Sequence, residues 1–192
     1  MGFIHNFPFF SIVIPMFSGI ISLVLSSKLA KIVCFTEVSI VTCLSGVLLY
    51  REILQPESFI YYMGHFPAPW GNEIRGGVIE AFLAFFFSLL LLLCLVGGIE
   101  KSLKQIEDSK ENMFFILTNL LLSSLMALVY TNDMFTAYVF IEINTIAACG
   151  LIMIRPTGQG ILSAIRYMVM SSVGSGLFLL ALCMLYGITG HL

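Results

Sequence analysis

Six apolar runs, separated by connectors of fewer than thirty residues, constrain this chain more than any other feature. They occupy residues 9–26, 32–50, 77–96, 112–130, 133–154 and 162–188. In hydrocarbon every backbone N–H and C=O must find a partner within the protein, so an apolar run of about 20 residues becomes a helix. The predicted fold is therefore all-α: a single polytopic membrane domain over residues 1–192 with about six transmembrane helices.

Composition carries the same message. The 192 residues are 59% hydrophobic and 10% charged, against roughly 25% charged in a soluble domain, and the mean hydropathy is +1.01. A net charge of −2, with Lys and Arg scattered between apolar runs, leaves no basic surface for nucleic acid. Cys34, Cys43, Cys94, Cys149 and Cys183 all fall inside apolar runs and never approach C-x-x-C spacing, so they read as packing residues rather than a disulfide or metal framework. His5, His65 and His191 are too scattered for a haem or metal cluster. Walker, dinucleotide and nucleophile-elbow motifs are absent from the sequence. The expectation is a chain with no cofactor of its own and no catalysis by itself; redox or nucleotide chemistry would belong to partner chains.

Along the chain, MGFIHNFPFF lacks the basic n-region and small-residue cleavage site of a secretory leader. Pro15 bends the first span, and a hinge with Lys28 and Lys31 leads to the second, where Glu37 lies near one end within reach of the headgroups. Residues 51–77 are polar and aromatic, with Pro56, Pro67, Pro69 and Trp70, and suit the membrane interface. Glu80 opens the third span, either at the interface or as part of an ion path. Residues 99–111 read as a solvated, mixed-charge loop. Asp133 opens the fifth span, where a carboxylate suits the positive end of the helix dipole. Arg155, Pro156, Gly158 and Gly160 make a tight exit, and Ser171, Ser172, Gly174, Ser175 and Gly176 give the last span small-x-x-x-small pairs for close packing.

The fifth span carries the strongest functional signal. Glu142 sits near its middle, and an intramembrane carboxylate generally faces a protein interior or water-filled path and marks an ion route. Helical spacing puts Tyr138, Thr145 and Cys149 on the same face. The Tyr138 and Thr145 hydroxyls can serve the carboxylate or an ion beside it. The bland alternative is a protonated Glu that only fixes helix packing. Orientation follows from charge: Lys28, Lys31, Lys101, Lys104, Lys110, Arg155 and Arg166 lie on one side, Arg51 and Arg75 on the other. That bias places both termini outside the cytoplasm.

Three stretches together resemble one family. They are YYMGHFPAPWGNEI at 61–74, NDMFTAYVFIEINTIAACGLI at 132–152 and IRYMVMSSVGSGLFLLALCMLYGITG at 165–190. In order and spacing they look like the proton-translocating antiporter-like subunits shared by Mrp-type cation/proton antiporters, membrane-bound hydrogenases and respiratory complex I, and most like the D-type member of the Mrp set. The resemblance covers essentially this whole chain, but the chain covers less than half of such a subunit.

The resemblance implies that Glu142 is the carboxylate of a proton or Na⁺ path, with Arg166 and Tyr167 as the basic residue and Tyr at the start of the sixth helix. Glu80 is near, but not plainly at, the position where the family often has an acid in the third helix. It implies a multi-pass protein of a prokaryotic-type cell membrane, working with H⁺ and possibly Na⁺. Its partners would be other antiporter-like subunits, and some companions would carry iron–sulfur clusters or a metal centre. The family pairs this Glu with a Lys on a seventh helix, so the Lys-bearing helices would come from another polypeptide. A Lys moving toward or away from the carboxylate would make it release or take up a proton. Arg166 would bias that pair or simply anchor its helix at the interface. The competing reading is a non-transporting scaffold that docks other subunits, where bulky residues at Ser172 or Gly176 would impair assembly.

Overall fold

The computed structural model describes residues 3–55, 58–62, 73–155 and 157–190. A 3-10 turn, Phe3–Asn6, leads into α1 (Phe7–Ser22), followed by α2 (Ser27–Leu54), a hairpin of β1 (Phe59–Tyr62) and β2 (Glu73–Gly76), α3 (Val78–Leu103), a 3-10 turn Asp108–Lys110, α4 (Glu111–Tyr130), α5 (Met134–Met153) and α6 (Gly158–Thr189). Among the described residues, α2 to α6 are each long and apolar enough to cross a membrane; α1 is a shorter apolar helix.

α4 is the hub: it packs on α1 and α5 and also touches α2 and α3, while α2 packs on both α1 and α3. α6 packs on α5 at the edge. The apolar core reflects this. Phe115, Leu122, Met126 and Tyr130 of α4 meet Cys34, Val38, Val41 and Leu48 of α2 and Ala81 and Ala84 of α3. α5 and α6 extend outward as a two-helix flank and contribute nothing to that cluster.

The interior is lined by small and polar residues, and large apolar side chains point outward. α1 buries Ser11, Ser18, Gly19 and Ser22, and α4 buries Thr118, Asn119, Ser123 and Ser124, whereas Ile20, Ile21, Phe82, Phe86 and Leu93 are exposed. Lipid tails are as apolar as Leu, so burial selects for close packing and hydrogen bonding rather than for greasiness. A Cβ at Gly19 would lie 3.4 Å from Asn119 Cβ, which measures how closely α1 meets α4. Pro15 lies inside α1 and removes the donor for the Ser11 carbonyl. Ser123 of α4 donates to the neighbouring Ile12 carbonyl at 2.9 Å.

Several expected boundaries move. α2 starts at Ser27, so Lys28 and Lys31 lie in its first turns rather than in a hinge, and α3 runs on through Lys101 to Leu103 into the expected loop. Gly158 and Gly160 belong to the first turn of α6, where the Thr157 hydroxyl accepts from Gly160 N–H at 3.2 Å. At the other end of α6, Gly190 has φ +70 and donates to the Tyr186 carbonyl at 2.8 Å, a left-handed stop that suits Gly. The reason is common to all: polar residues such as Lys extend a helix past its apolar stretch, so hydropathy marks the hydrocarbon and not the helix.

The interfacial segment carries an antiparallel hairpin that the residue pattern did not suggest, with Phe59 opposite Gly76 and Tyr62 opposite Glu73. The proline-and-tryptophan centre of that segment, with His65, Pro67, Pro69 and Trp70, lies outside the described residues, as do Pro56, Pro156 and His191. Ile74 bridges Thr131, Asn132 N–H donates to the Glu73 carbonyl at 2.9 Å, and His5 stands edge-on to Phe59 with centroids 4.5 Å apart. One end of the bundle thus gathers the N-terminal turn, the hairpin and the α4–α5 junction. At the opposite end, Asn112 Nδ2 donates to the Leu25 carbonyl at 2.7 Å and the Ser27 hydroxyl donates to Glu111. That end carries Lys28, Lys31, Lys101, Lys104 and Lys110.

Candidate functional site

α5 begins at a capped end. Asp133 Oδ1 accepts from Phe135 N–H at 3.2 Å and Oδ2 from Thr136 N–H at 2.9 Å, satisfying two donors that a helix start leaves open. Asp133→Ala is expected to lower stability by about 1 kcal/mol, read as a reduced melting temperature of the detergent-solubilised protein, with transport unchanged.

Two turns further on is Glu142, half-buried. Thr145, one turn beyond it on the same face, is buried; its hydroxyl donates to the Ile141 carbonyl at 2.9 Å and lies 3.0 Å from Ser171 Oγ of α6. Cys149, another turn along, packs on the Ala164 carbonyl. The face on which the sequence aligned Glu142, Thr145 and Cys149 is therefore the face that meets α6. Tyr138 is half-buried, its ring 6.4 Å from that of Phe135. Among the described residues no Lys, Arg or His forms an ion pair with Glu142.

The other two candidates lie elsewhere. Glu80 is in the first turn of α3 and pairs with Arg75 of the hairpin at 3.7 Å, on a helix that packs chiefly on α2. Arg166 is exposed on α6, as is Tyr167. The small residues of α6 do only part of the packing expected of them. Ser171 meets Thr145 and Ser175 is buried, but a Cβ at Gly174 or Gly176 would meet nothing within 4 Å.

A second intramembrane carboxylate was underestimated from the sequence. Glu37 is 3% exposed, not at the headgroups, and sits against Asn119 of α4, which in turn bonds Ser18 of α1. The error came from measuring its depth from residue 32; α2 starts at Ser27, one and a half turns earlier. Its spacing from Cys34, Val41 and Ser45 along one helical face was the available signal.

Residues 131–192, which span α5 and α6, match the family described as NADH:quinone oxidoreductase/Mrp antiporter, TM. The chain is 31% identical over 152 residues to the N-type subunit of a NADH-quinone oxidoreductase from Desulforudis audaxviator, covering 77% of this chain and 29% of that protein. It is 26% identical over 190 residues to the D-type subunit of a Na(+)/H(+) antiporter from Bacillus subtilis, covering 98% of this chain and 38% of the relative. Among solved structures, a chain of the Mrp complex from a Dietzia species superposes with a TM-score of 0.87 at 18% identity, over 100% of this chain and 36% of that one, which shows a shared fold. The chain thus spans roughly a third of the length of the proteins it matches. Over α5 and α6 the chain is thus similar to the NADH:quinone oxidoreductase/Mrp antiporter transmembrane family, in a helical bundle that shares its fold with a chain of the Mrp complex.

Proposed function

We propose that this chain is one section of an ion path in a multisubunit cation/proton antiporter or antiporter-containing redox complex, with Glu142 as its coupling carboxylate. The observation that carries this reading is Glu142 itself, an ionisable group partway down an apolar helix, on the face shared with α6 and without a countercharge among the described residues. An unpaired carboxylate in such surroundings is costly and rarely incidental. Thr145 and Tyr138 supply hydroxyls on its face, Thr145 also holding α5 to α6. The missing positive charge comes from a partner helix bearing a Lys, which docks along the exposed flank of α6 where Gly174 and Gly176 leave room. Both termini and the hairpin face away from the cytoplasm, and the Lys-rich end faces it. Arg166 anchors α6 at that interface, and iron–sulfur or other metal centres belong to companion chains.

Gentle isolation of the chain from its native membrane, with mass-spectrometric identification of what accompanies it, is the test. The expected result is co-purification with antiporter-like membrane chains, including one with a Lys-bearing intramembrane helix. Isolation alone or as a homo-oligomer would overturn the proposal.

A further inference from the structure

Glu37 lies ten residues into α2, enclosed by α1 and α4. Asn119, fully buried, is placed between Glu37 and Ser18. Its amide Nδ2 donates to Glu37 Oε1 at 2.6 Å and to the Phe115 carbonyl at 3.3 Å, and the amide oxygen accepts from Ser18 Oγ at 3.0 Å. An ionised carboxylate oxygen and the carbonyl oxygen of the neutral acid both accept hydrogen bonds, so this seating serves either protonation state with no helix movement.

The second carboxyl oxygen, Oε2, is buried and has no hydrogen-bond partner among the described residues. Nothing of opposite charge approaches: α1 carries no ionisable side chain. The ionisable residues of α4 are Glu111 and Tyr130 at its two ends. α3 has Glu80 in its first turn, Cys94 exposed, and Glu100 and Lys101 near its end. On α2 itself the titratable neighbour is Cys34, one turn earlier. Three side chains offer too few oxygens for a hard cation, which gathers six or more, so the ligand is a proton.

We propose that Glu37, Asn119 and Ser18 form a second intramembrane proton-exchange site, on a different set of helices from Glu142, in which Asn119 holds the carboxyl group through both protonation states. Binding forms one O–H bond on Glu37 Oε2 with a proton drawn from water, and release returns it.

Infrared difference spectroscopy of the chain's intact membrane assembly in lipid vesicles, recorded between two pH values in H₂O and D₂O, tests this. The wild type is expected to show a carboxylic acid C=O band that grows as pH falls and shifts in D₂O. Glu37→Gln, which keeps the size and hydrogen-bonding reach of the side chain, is expected to lose that band, while Glu142→Gln retains it. Asn119→Leu is expected to keep the band but move it to higher frequency, because the acid carbonyl loses its hydrogen-bond donor. A Glu37→Gln spectrum identical to wild type, a band that does not respond to pH, or one that responds to Na⁺ at fixed pH would overturn the site. An unmoved band in Asn119→Leu would overturn the part given to Asn119.

Discussion

Glu142→Gln is expected to reduce cation-driven proton movement by about a hundredfold or more, the usual scale for removing a group that exchanges protons in a rate-limiting step, while the assembly still forms. The amide matches the carboxyl in size and hydrogen-bonds equally well, so the half-buried position on α5 is refilled without a cavity; only the capacity to gain and lose a proton disappears. The Thr145–Ser171 contact that joins α5 to α6 one turn away is untouched. Proton uptake into vesicles, followed with a pH-sensitive dye after a Na⁺ or K⁺ pulse, is the measurement, with Glu142→Asp as the companion expected to retain partial transport. Wild-type rates in the Gln variant would leave Glu142 a packing residue and make the chain a scaffold for other subunits.

Gly76→Val is expected to be the most damaging single change to the fold. A Cβ on Gly76 would lie 2.4 Å and 2.5 Å from two atoms of the Phe59 ring, and that ring has His5 edge-on against it. Relief requires the ring to move, and with it the register that pairs Phe59 with Gly76. Overpacking of this kind costs typically 1–3 kcal/mol. The damage spreads, because β2 also bridges Thr131 and holds the α4–α5 junction through Asn132. A melting temperature lowered by on the order of 5 °C in detergent is the expected result. Gly174→Val, where a new side chain would meet nothing within 4 Å, is the control and should melt with the wild type. Equal melting of both variants would show that the ring does not pin the hairpin.

The helices were legible because a long apolar run has one solution in hydrocarbon. Their ends were not, since Lys28, Lys31 and Lys101 continue helices that hydropathy terminates. Facing was harder still. In a soluble helix polarity contrast shows which side is buried; here both surroundings are apolar, and the buried side had to be sought in small residues such as Ser11, Ser18 and Gly19 of α1. The spacing of Glu142, Thr145 and Cys149 did identify a real face, because all three lie on a single helix. Glu37 and Asn119 are 82 positions apart in the chain, and no local pattern announces a meeting between two helices. The hairpin escaped for a related reason: strands of four residues beside a proline-rich segment carry too few positions to show alternation.

The inequality of helix lengths bears on the lipid around the protein. With 16 residues, α1 extends about 24 Å, less than the roughly 30 Å of a bilayer's hydrocarbon, while α6 with 32 residues reaches about 48 Å. The short helix packs on α2 and α4 with Ile20 and Ile21 turned outward, and the long one lies at the outer edge of the flank. A bilayer is therefore expected to thin beside α1 and to meet, on the other side, a helix that must tilt or project to fit. Such a thickness gradient is expected to make the tilt of α6 against α5, and with it the setting of the face that carries Glu142, responsive to acyl-chain length.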